Sequence, residues 1–178
     1  MEHLQIHVLP SYEQINEEKT EYISALVNRV YEIAEKGLWK QGMYRTTARE
    51  IADLINKEEL IVAEKNNTVI GCVRIQKLDD ETAVLGMLAV DDRYQKNGIG
   101  RQIMTYAEEL CRKANIKKLK LELLVPTQGT HPTKVFLDQW YRRLGFEVTR
   151  VETVAEVFPR LIEMLQVPCQ FLIFEKRL

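Results

Sequence analysis

The sequence lacks an excess of charge of either sign. Its 25 Lys and Arg residues nearly balance 26 Asp and Glu residues, which gives a formal net charge of −1 at pH 7. Acidic and basic side chains are interspersed along the chain. Because domains that bind nucleic acid present a strongly basic surface to the phosphates, this composition argues against a nucleic-acid partner.

Cysteine, histidine and long apolar runs are also scarce. The chain has three histidines without metal-ligand spacing, so we expect no metal site. No apolar run approaches the length of a membrane span, and no signal-peptide core is found, so we expect a cytoplasmic protein without a membrane partner. The cysteines are widely spaced in apolar contexts, which predicts free buried thiols in a reducing compartment: Cys72, Cys111 and Cys169.

The apolar periodicity predicts one α/β domain over residues 1–178. We expect a strand ending at Pro10, a helix that starts between Ser11 and Thr20 and ends at Gly37, and a second helix with the capping box Thr47-x-x-Glu50. Further helices are predicted over 98–114, 133–144 (capped by Thr133) and 159–165. The other strands are predicted over 60–64, 69–76, 82–90, 118–125, 146–151 and 170–175.

The connections between the predicted strands indicate how they pair. Short turns join the three strands between 60 and 90, one of them at Asn66-Asn67, which predicts antiparallel neighbours. A strand, helix and strand over 82–125 predict a parallel pair with a right-handed crossover. The sheet is therefore expected to be mixed.

Residues 85–101 form the most informative stretch. An apolar strand ends at Val90, and apolar residues at helical spacing follow Gly98. Gly98 and Gly100 lack a Cβ atom where a ligand would approach the backbone. Free N–H groups and the positive dipole end of a helix start favour phosphate binding. The stretch is typical of a pyrophosphate site.

Two other interpretations of this stretch remain open. Gly98-x-Gly100 can simply make a tight turn. A dinucleotide-binding loop would use the same glycines, with Glu122 near the position of the ribose-binding acid. However, Ile103 replaces the third glycine, and seven residues separate the strand from the first one. A triphosphate loop is excluded because the Gly-Lys-Ser/Thr run is absent.

Two motifs carry a resemblance to a known family. Residues 95–100, Gln-Lys-Asn-Gly-Ile-Gly, fit the Q/R-x-x-G-x-G/A signature of the GNAT superfamily of N-acetyltransferases. Residues 141–146 resemble the Y-x-x-x-G-F element of that family, at about the right distance downstream. The resemblance covers residues 82–150 and implies a mostly antiparallel, twisted mixed sheet with a parallel strand pair at the cofactor site and helices on both faces.

The resemblance further implies that acetyl-CoA is the co-substrate and that its acetyl group moves to an amine of a small molecule or peptide. A backbone amide in the 88–90 segment would bond the thioester carbonyl. The implied cofactor-binding residues are Leu88, Ala89, Val90, Gln95, Lys96, Asn97, Gly98, Ile99, Gly100, Arg101 and Lys134. The last stands where the family commonly has an asparagine that bonds the pantetheine, and we expect Lys134 to reach a phosphate or an acidic substrate.

Two residues are candidates for proton transfer. Leu121-Glu122-Leu123 resembles the Leu-Glu-Val of members that acetylate a ribosomal protein, which implies that Glu122 takes the proton of the amine. The alternative is a solvated strand residue paired with Lys120. Tyr141 occupies the position of the family's tyrosine, which implies protonation of the leaving thiolate. The alternative is a buried structural aromatic.

The acceptor side is less well defined. In the GNAT pattern the loop 37–46 forms one wall of the acceptor cleft, so Trp39 and Tyr44 are predicted to bind substrate, although both can merely cover the core. The loop 126–133 is longer than in the ribosomal-protein members, which argues for a different acceptor. The sequence does not determine the oligomeric state, and since dimers are common in the family the resemblance is compatible with a homodimer. A nucleotide-binding oxidoreductase and a non-catalytic acyl-CoA sensor are the alternative functions.

Overall fold

The computed structural model describes residues 4–11 and 16–178. The predicted start of the first helix partly falls on residues 12–15, outside the described part. In chain order the elements are β1 (Leu4–Val8), α1 (Glu17–Ala34), α2 (Ala48–Asn56), β2 (Leu60–Lys65), β3 (Thr68–Lys77), β4 (Thr82–Val90), α3 (Ile99–Lys113), β5 (Lys118–Pro126), α4 (Pro132–Arg143), β6 (Glu147–Thr153), α5 (Val154–Val157) and β7 (Cys169–Arg177). Short 3-10 turns occupy Asp92–Tyr94 and Pro159–Met164.

Within the described residues, seven strands form one sheet in the order β1-β2-β3-β4-β5-β7-β6. β4 and β5 pair in parallel, and the other neighbours are antiparallel. The expected mixed sheet is confirmed, as is the β2–β3 turn, where Asn66 and Asn67 have φ of 52° and 62°. β7 is inserted between β5 and β6, which explains why its sequence is apolar on both faces.

Alternating side chains of the sheet enter two cores on opposite faces. Ile61 and Ala63 of β2 pack in the core that holds α3 and Tyr141 of α4. Leu60 and Val62 pack in the core that holds α1 and α2. The predicted helices on both faces are therefore present. We call these the α3 face and the α1 face.

The parallel pair is short. β4 and β5 pair only from Thr82↔Lys118 to Leu85↔Leu121. β5 continues beside β7 as far as Pro126, and β4 continues beside β3 as far as Val90. Between Cys72↔Ala89 and Arg74↔Gly86, β4 has one residue more than β3, and Met87 has φ of 55°. This bulge coincides with the parting of the strands, and we call the opening between residues 86–90 and 122–126 the strand gap.

Several predicted boundaries were wrong. α4 begins at Pro132, and its N-cap is His131 and not Thr133, because proline is favoured in the first helical turn. β6 extends to Thr153, where an unpredicted capping box starts α5. Phe136 of α4 is 56% exposed although it is apolar. The residues that α4 buries are Lys134 and Tyr141.

Candidate active site at the strand gap

The N-terminus of α3 lies directly after the end of β4 and has no side-chain cap. Its N-cap residue, Gly98, is left-handed with φ of 77°, and the first intrahelical bond runs from the amide of Gln102 to the carbonyl of Gly98, at 3.0 Å. By contrast, Asn16 and Thr47 cap α1 and α2 with their side chains. The amides of the first turn of α3 thus remain available to an anion.

The two glycines of this turn have different roles in the protein. Gly98 needs its positive φ, which L side chains rarely adopt. A Cβ atom at Gly100 would lie 3.6 Å from the ring of Trp140, an ordinary contact. The packing of the protein itself therefore does not require glycine at 100, which is compatible with the predicted close approach of a ligand.

A buried carboxylate, which the sequence did not point to, holds the loop between β4 and α3. Asp91 is fully buried. Its Oδ1 accepts bonds from the amide and Nε of Arg93, both at 3.0 Å, and its Oδ2 accepts bonds from Nη2 of Arg93 at 2.8 Å and of Arg29 in α1 at 3.1 Å. The side chain of Gln95, predicted to bind cofactor, donates to the carbonyl of Val90 at 3.0 Å. These bonds tie the loop to α1 and to the strand end.

Asp91→Asn is expected to lower the free energy of unfolding at neutral pH by about 1 to 2 kcal/mol, near the lower end for charged hydrogen bonds because both arginines are partly exposed. The hydrogen bond from Arg93, with smaller contributions from both arginine charges, lowers the pKa of Asp91. A carboxylate with a lowered pKa stabilises the fold above its unfolded pKa and loses that contribution as pH falls through the folded pKa. Urea unfolding of the unaltered protein and of Asp91→Asn from pH 7 to 3 should show that their difference in free energy of unfolding shrinks with acidification. A difference that stays constant would contradict the role of the charge.

Tyr141 lies on the α3 face beside the strand gap. It is 8% exposed, and its ring packs against Trp140, Phe146 and Phe174 at centroid distances of 5.2, 6.2 and 5.6 Å. Burial raises the pKa of Tyr141 well above its ordinary value, and Tyr31 of α1 contributes to the shift. Phe174, one of its ring contacts, pairs with Leu121, the last residue of β5 that also pairs with β4. Tyr141 is thus protonated at neutral pH and placed where the strands part.

Lys134 is held in a buried ion pair with α1. It is 5% exposed, and its Nζ lies 2.5 Å from Oε1 of Glu35, which is 7% exposed. The other carboxylate oxygen of Glu35 accepts a bond from Nε1 of Trp39. His131, just before α4, also approaches the carbonyl of Lys36, with Nε2 and O 3.0 Å apart. These contacts join the helices of both faces at the end of the sheet where β4 and β5 have parted.

The ion pair bears on two of the predicted roles. In this structure the ammonium of Lys134 is directed at Glu35 and is not exposed to a phosphate, so its predicted cofactor contact would require that the pair open. Trp39 is half-buried and is fixed by the same carboxylate. Tyr44 is 69% exposed and lies in the same loop. Of the two aromatics predicted to bind substrate, Trp39 is therefore held in place by a hydrogen bond, whereas Tyr44 is exposed.

Glu122 lies on the α1 face of the sheet, because its neighbours Leu121 and Leu123 point into the core of the α3 face. Its Oε1 is 3.4 Å from Nζ of Lys120, and its side chain is 17% exposed. The ion pair with Lys120 that the non-catalytic alternative predicts is therefore present, although the side chain of Glu122 is largely buried. Glu122 also contributes to the electrostatic environment of Arg74 on β3, a residue that the sequence did not single out.

The sequence as a whole matches a family that joins these features. A model described as the acetyltransferase (GNAT) family matches residues 21–146, most of the chain. The chain belongs to the GNAT acetyltransferase family. The predicted GNAT family is therefore confirmed, and so is the mixed-sheet fold, in which β4 and β5 pair in parallel.

Solved structures resemble this GNAT chain over nearly its whole length. The PaiA N-acetyltransferase of Thermoplasma acidophilum, in complex with coenzyme A, has a TM-score of 0.69 at 18% identity, with 99% of each chain covered. An acetyltransferase of Streptococcus agalactiae has a TM-score of 0.68 at 18% identity, with 98% of each covered. A GNAT family acetyltransferase of Elizabethkingia anophelis with acetyl-CoA bound has a TM-score of 0.58 at 18% identity, with 98% of each covered. At this identity the likeness establishes the fold.

Curated relatives include the amino-acid acetyltransferase of Pseudomonas aeruginosa, 25% identical over 142 residues. The match covers 79% of this chain and 29% of the relative, so the GNAT chain corresponds to under a third of that protein.

No helix in the described ranges is long and apolar enough to cross a membrane. Those ranges also contain no cluster of three or more His, Cys, Asp or Glu suited to a metal ion.

Proposed function

We propose that the chain transfers the acetyl group of acetyl-CoA directly to a primary amine of a small molecule or peptide, in a ternary complex. One observation carries the proposal: an uncapped helix N-terminus follows the very strand whose end parts from its parallel neighbour. The anion site and the gap therefore lie along one strand end, as a molecule with a pyrophosphate and a reactive thioester requires. Membership in the GNAT family and the acetyl-CoA and CoA complexes of its structural neighbours support the choice of co-substrate.

The amides at the start of α3, residues 99–101, would bind the pyrophosphate, with Lys96, Asn97 and Gly98 before them. The bulge at Met87 and Leu88 interrupts the ladder between β3 and β4. Because a bulge leaves backbone groups unpaired, the 88–90 segment can present an amide to the thioester carbonyl, which fits the predicted role of Leu88, Ala89 and Val90. A preorganised donor of this kind contributes about a hundredfold or more to the rate.

In the transfer step, the lone pair of a neutral amine attacks the thioester carbonyl carbon, and the C–S bond of the resulting tetrahedral intermediate breaks. Glu122, directly or through water, would take the proton that the nitrogen loses. Tyr141 would give its proton to the sulfur that leaves. The position of Tyr141 beside the gap and of Glu122 on the α1 face is compatible with a donor molecule on one face and an acceptor on the other.

Acetyl-CoA is expected to stabilise the fold by about 2.7 kcal/mol at a hundred times its dissociation constant. Gly100→Val should lose this stabilisation without unfolding, because a Cβ atom at 100 meets only an ordinary contact. Thermal melting with acetyl-CoA, CoA and NADH measures the effect. A melting temperature raised by NADH alone would instead support the nucleotide-binding oxidoreductase.

Transfer itself is tested by thiol detection of CoA release with a panel of polyamines, amino acids, aminoglycosides and peptide N-termini. Release that depends on an amine supports the enzyme. Binding of acetyl-CoA without release for any amine would support the acyl-CoA sensor.

A further inference from the structure

The guanidinium of Arg74 stands without a hydrogen bond or ion pair to any described residue, and its Nε is buried with no partner. It lies flat over the backbone of β4, since a Cβ atom at Gly86 would be only 3.1 Å from its Nη2 and 3.4 Å from its Nε. Buried polar groups in folded proteins nearly always find a partner. Because its Nε has no partner among the described residues and its side chain is only partly buried, the guanidinium can donate hydrogen bonds to an anion that the protein itself does not supply.

The position of Arg74 connects it with the acceptor side of the gap. Cys72 of β3 packs in the core of the α1 face and Val73 in that of the α3 face, so Arg74 points to the α1 face. Glu122 points to the same face from β5. Gly86, beneath the guanidinium, follows Leu85, the last β4 residue that pairs with β5. Arg74 is thus placed at the apex of the strand gap, on the face opposite α3.

A second arginine adds positive charge at the mouth of this site. Both Arg45 and Thr46 donate their amides to Oδ1 of Asn28, which holds the loop before α2 against α1. The exposed guanidinium of Arg45 then lies 5.3 Å from the ring centre of Tyr31. Burial lowers the pKa of Arg74, and Arg45 adds to the shift, while Glu122 and Glu59 oppose it. An incoming anion would relieve the repulsion between the two arginines.

We propose that Arg74 determines acceptor specificity by binding a carboxylate of the acceptor, so that the preferred substrate is an amine that also carries a carboxylate, such as a free amino acid. The planar fork of a guanidinium matches a carboxylate or a phosphate. Because Glu59 and Glu122 already place negative charge nearby, a singly charged carboxylate fits better than a doubly charged phosphate. This inference rests on the proposed acetyl transfer to an amine.

The test compares acceptors with and without the anion, and kcat/KM is expressed per neutral amine because loss of the carboxylate also lowers the pKa of the acceptor's amine. One comparison is between amino acids and their amides, and the other is between phosphoethanolamine and ethanolamine. We expect kcat/KM from CoA release to be about ten- to a hundredfold higher for the carboxylate than for its amide, the size of a charge-assisted hydrogen bond. Arg74→Gln should remove this preference. Arg74→Lys should keep part of it, and it replaces the glutamine variant in the test if that variant fails to fold.

Arg177→Gln is the matched control, since Arg177 is exposed beside Lys118, at the end of β5 away from the gap. It should keep the full preference. Equal rates for acids and amides in the unaltered protein would overturn the inference while leaving acetyl transfer intact, and a preference for phosphoethanolamine would overturn the assignment to a carboxylate.

If no amine is acetylated, calorimetry of amino-acid binding to the CoA-saturated protein tests the anion site independently of acetyl transfer. Binding that is lost in Arg74→Gln but kept in Arg177→Gln supports the anion site even though transfer has failed. Absence of binding, or binding unchanged by Arg74→Gln, counts against it.

Discussion

Tyr141→Phe is expected to lower kcat by about a hundred- to ten-thousandfold, the usual contribution of general acid catalysis. The substitution removes one oxygen and keeps the ring, so the packing against Trp140, Phe146 and Phe174 persists. Burial raises the pKa of Tyr141, so the phenol retains its proton at neutral pH. In the proposed mechanism it gives this proton to the sulfur on which negative charge develops. An interaction of this kind, made mainly in the transition state, lowers kcat and kcat/KM together.

The measurements are steady-state kinetics, CoA affinity and thermal melting. Tyr106→Phe, the same chemical change on α3, is the control and should leave kcat unchanged. A normal kcat in Tyr141→Phe would mean that water or another group protonates the thiolate. A large fall in melting temperature with a proportionate loss of activity would assign the hydroxyl a structural role.

The second large effect concerns stability. Glu35→Ala is expected to lower the free energy of unfolding by about 3 to 5 kcal/mol, the usual cost of removing one partner of a buried ion pair. Lys134, 5% exposed, would lose the carboxylate 2.5 Å from its Nζ, and the indole N–H of Trp39 would lose its acceptor as well. The cost arises mainly from the uncompensated ammonium, and urea unfolding measures it.

The double variant Glu35→Leu, Lys134→Met separates the charge from the packing. Apolar replacement of both partners of a buried pair is often neutral or stabilising, so the double variant should regain most of the stability that Glu35→Ala loses. A double variant as unstable as Glu35→Ala would show that shape and the bond to Trp39, and not the unpaired charge, cause the loss.

The sequence by itself determined the local structure. Period-two and helical apolar patterns located the strands and the main helices, Thr47 and Glu50 formed the predicted capping box, and Asn66 and Asn67 adopted the positive φ expected of a tight turn. The glycines at 98 and 100 predicted an anion site because a helix start after a strand is a local feature, readable from a few consecutive residues. The same locality made residues 141–146 recognisable.

The tertiary structure alone decided which distant side chains meet. Lys134 and Glu35 are 99 residues apart, and Arg29 and Asp91 are 62 apart, so no periodicity or motif links them. The isolation of Arg74 is equally invisible in the sequence, since it depends on which strands neighbour β3 and on where β4 parts from β5. Contacts across a sheet follow from strand order and register, and these are set by the packing of both faces at once. The local pattern thus predicted where a cofactor would bind, whereas the folded sheet decided which charged residues lie near the strand gap.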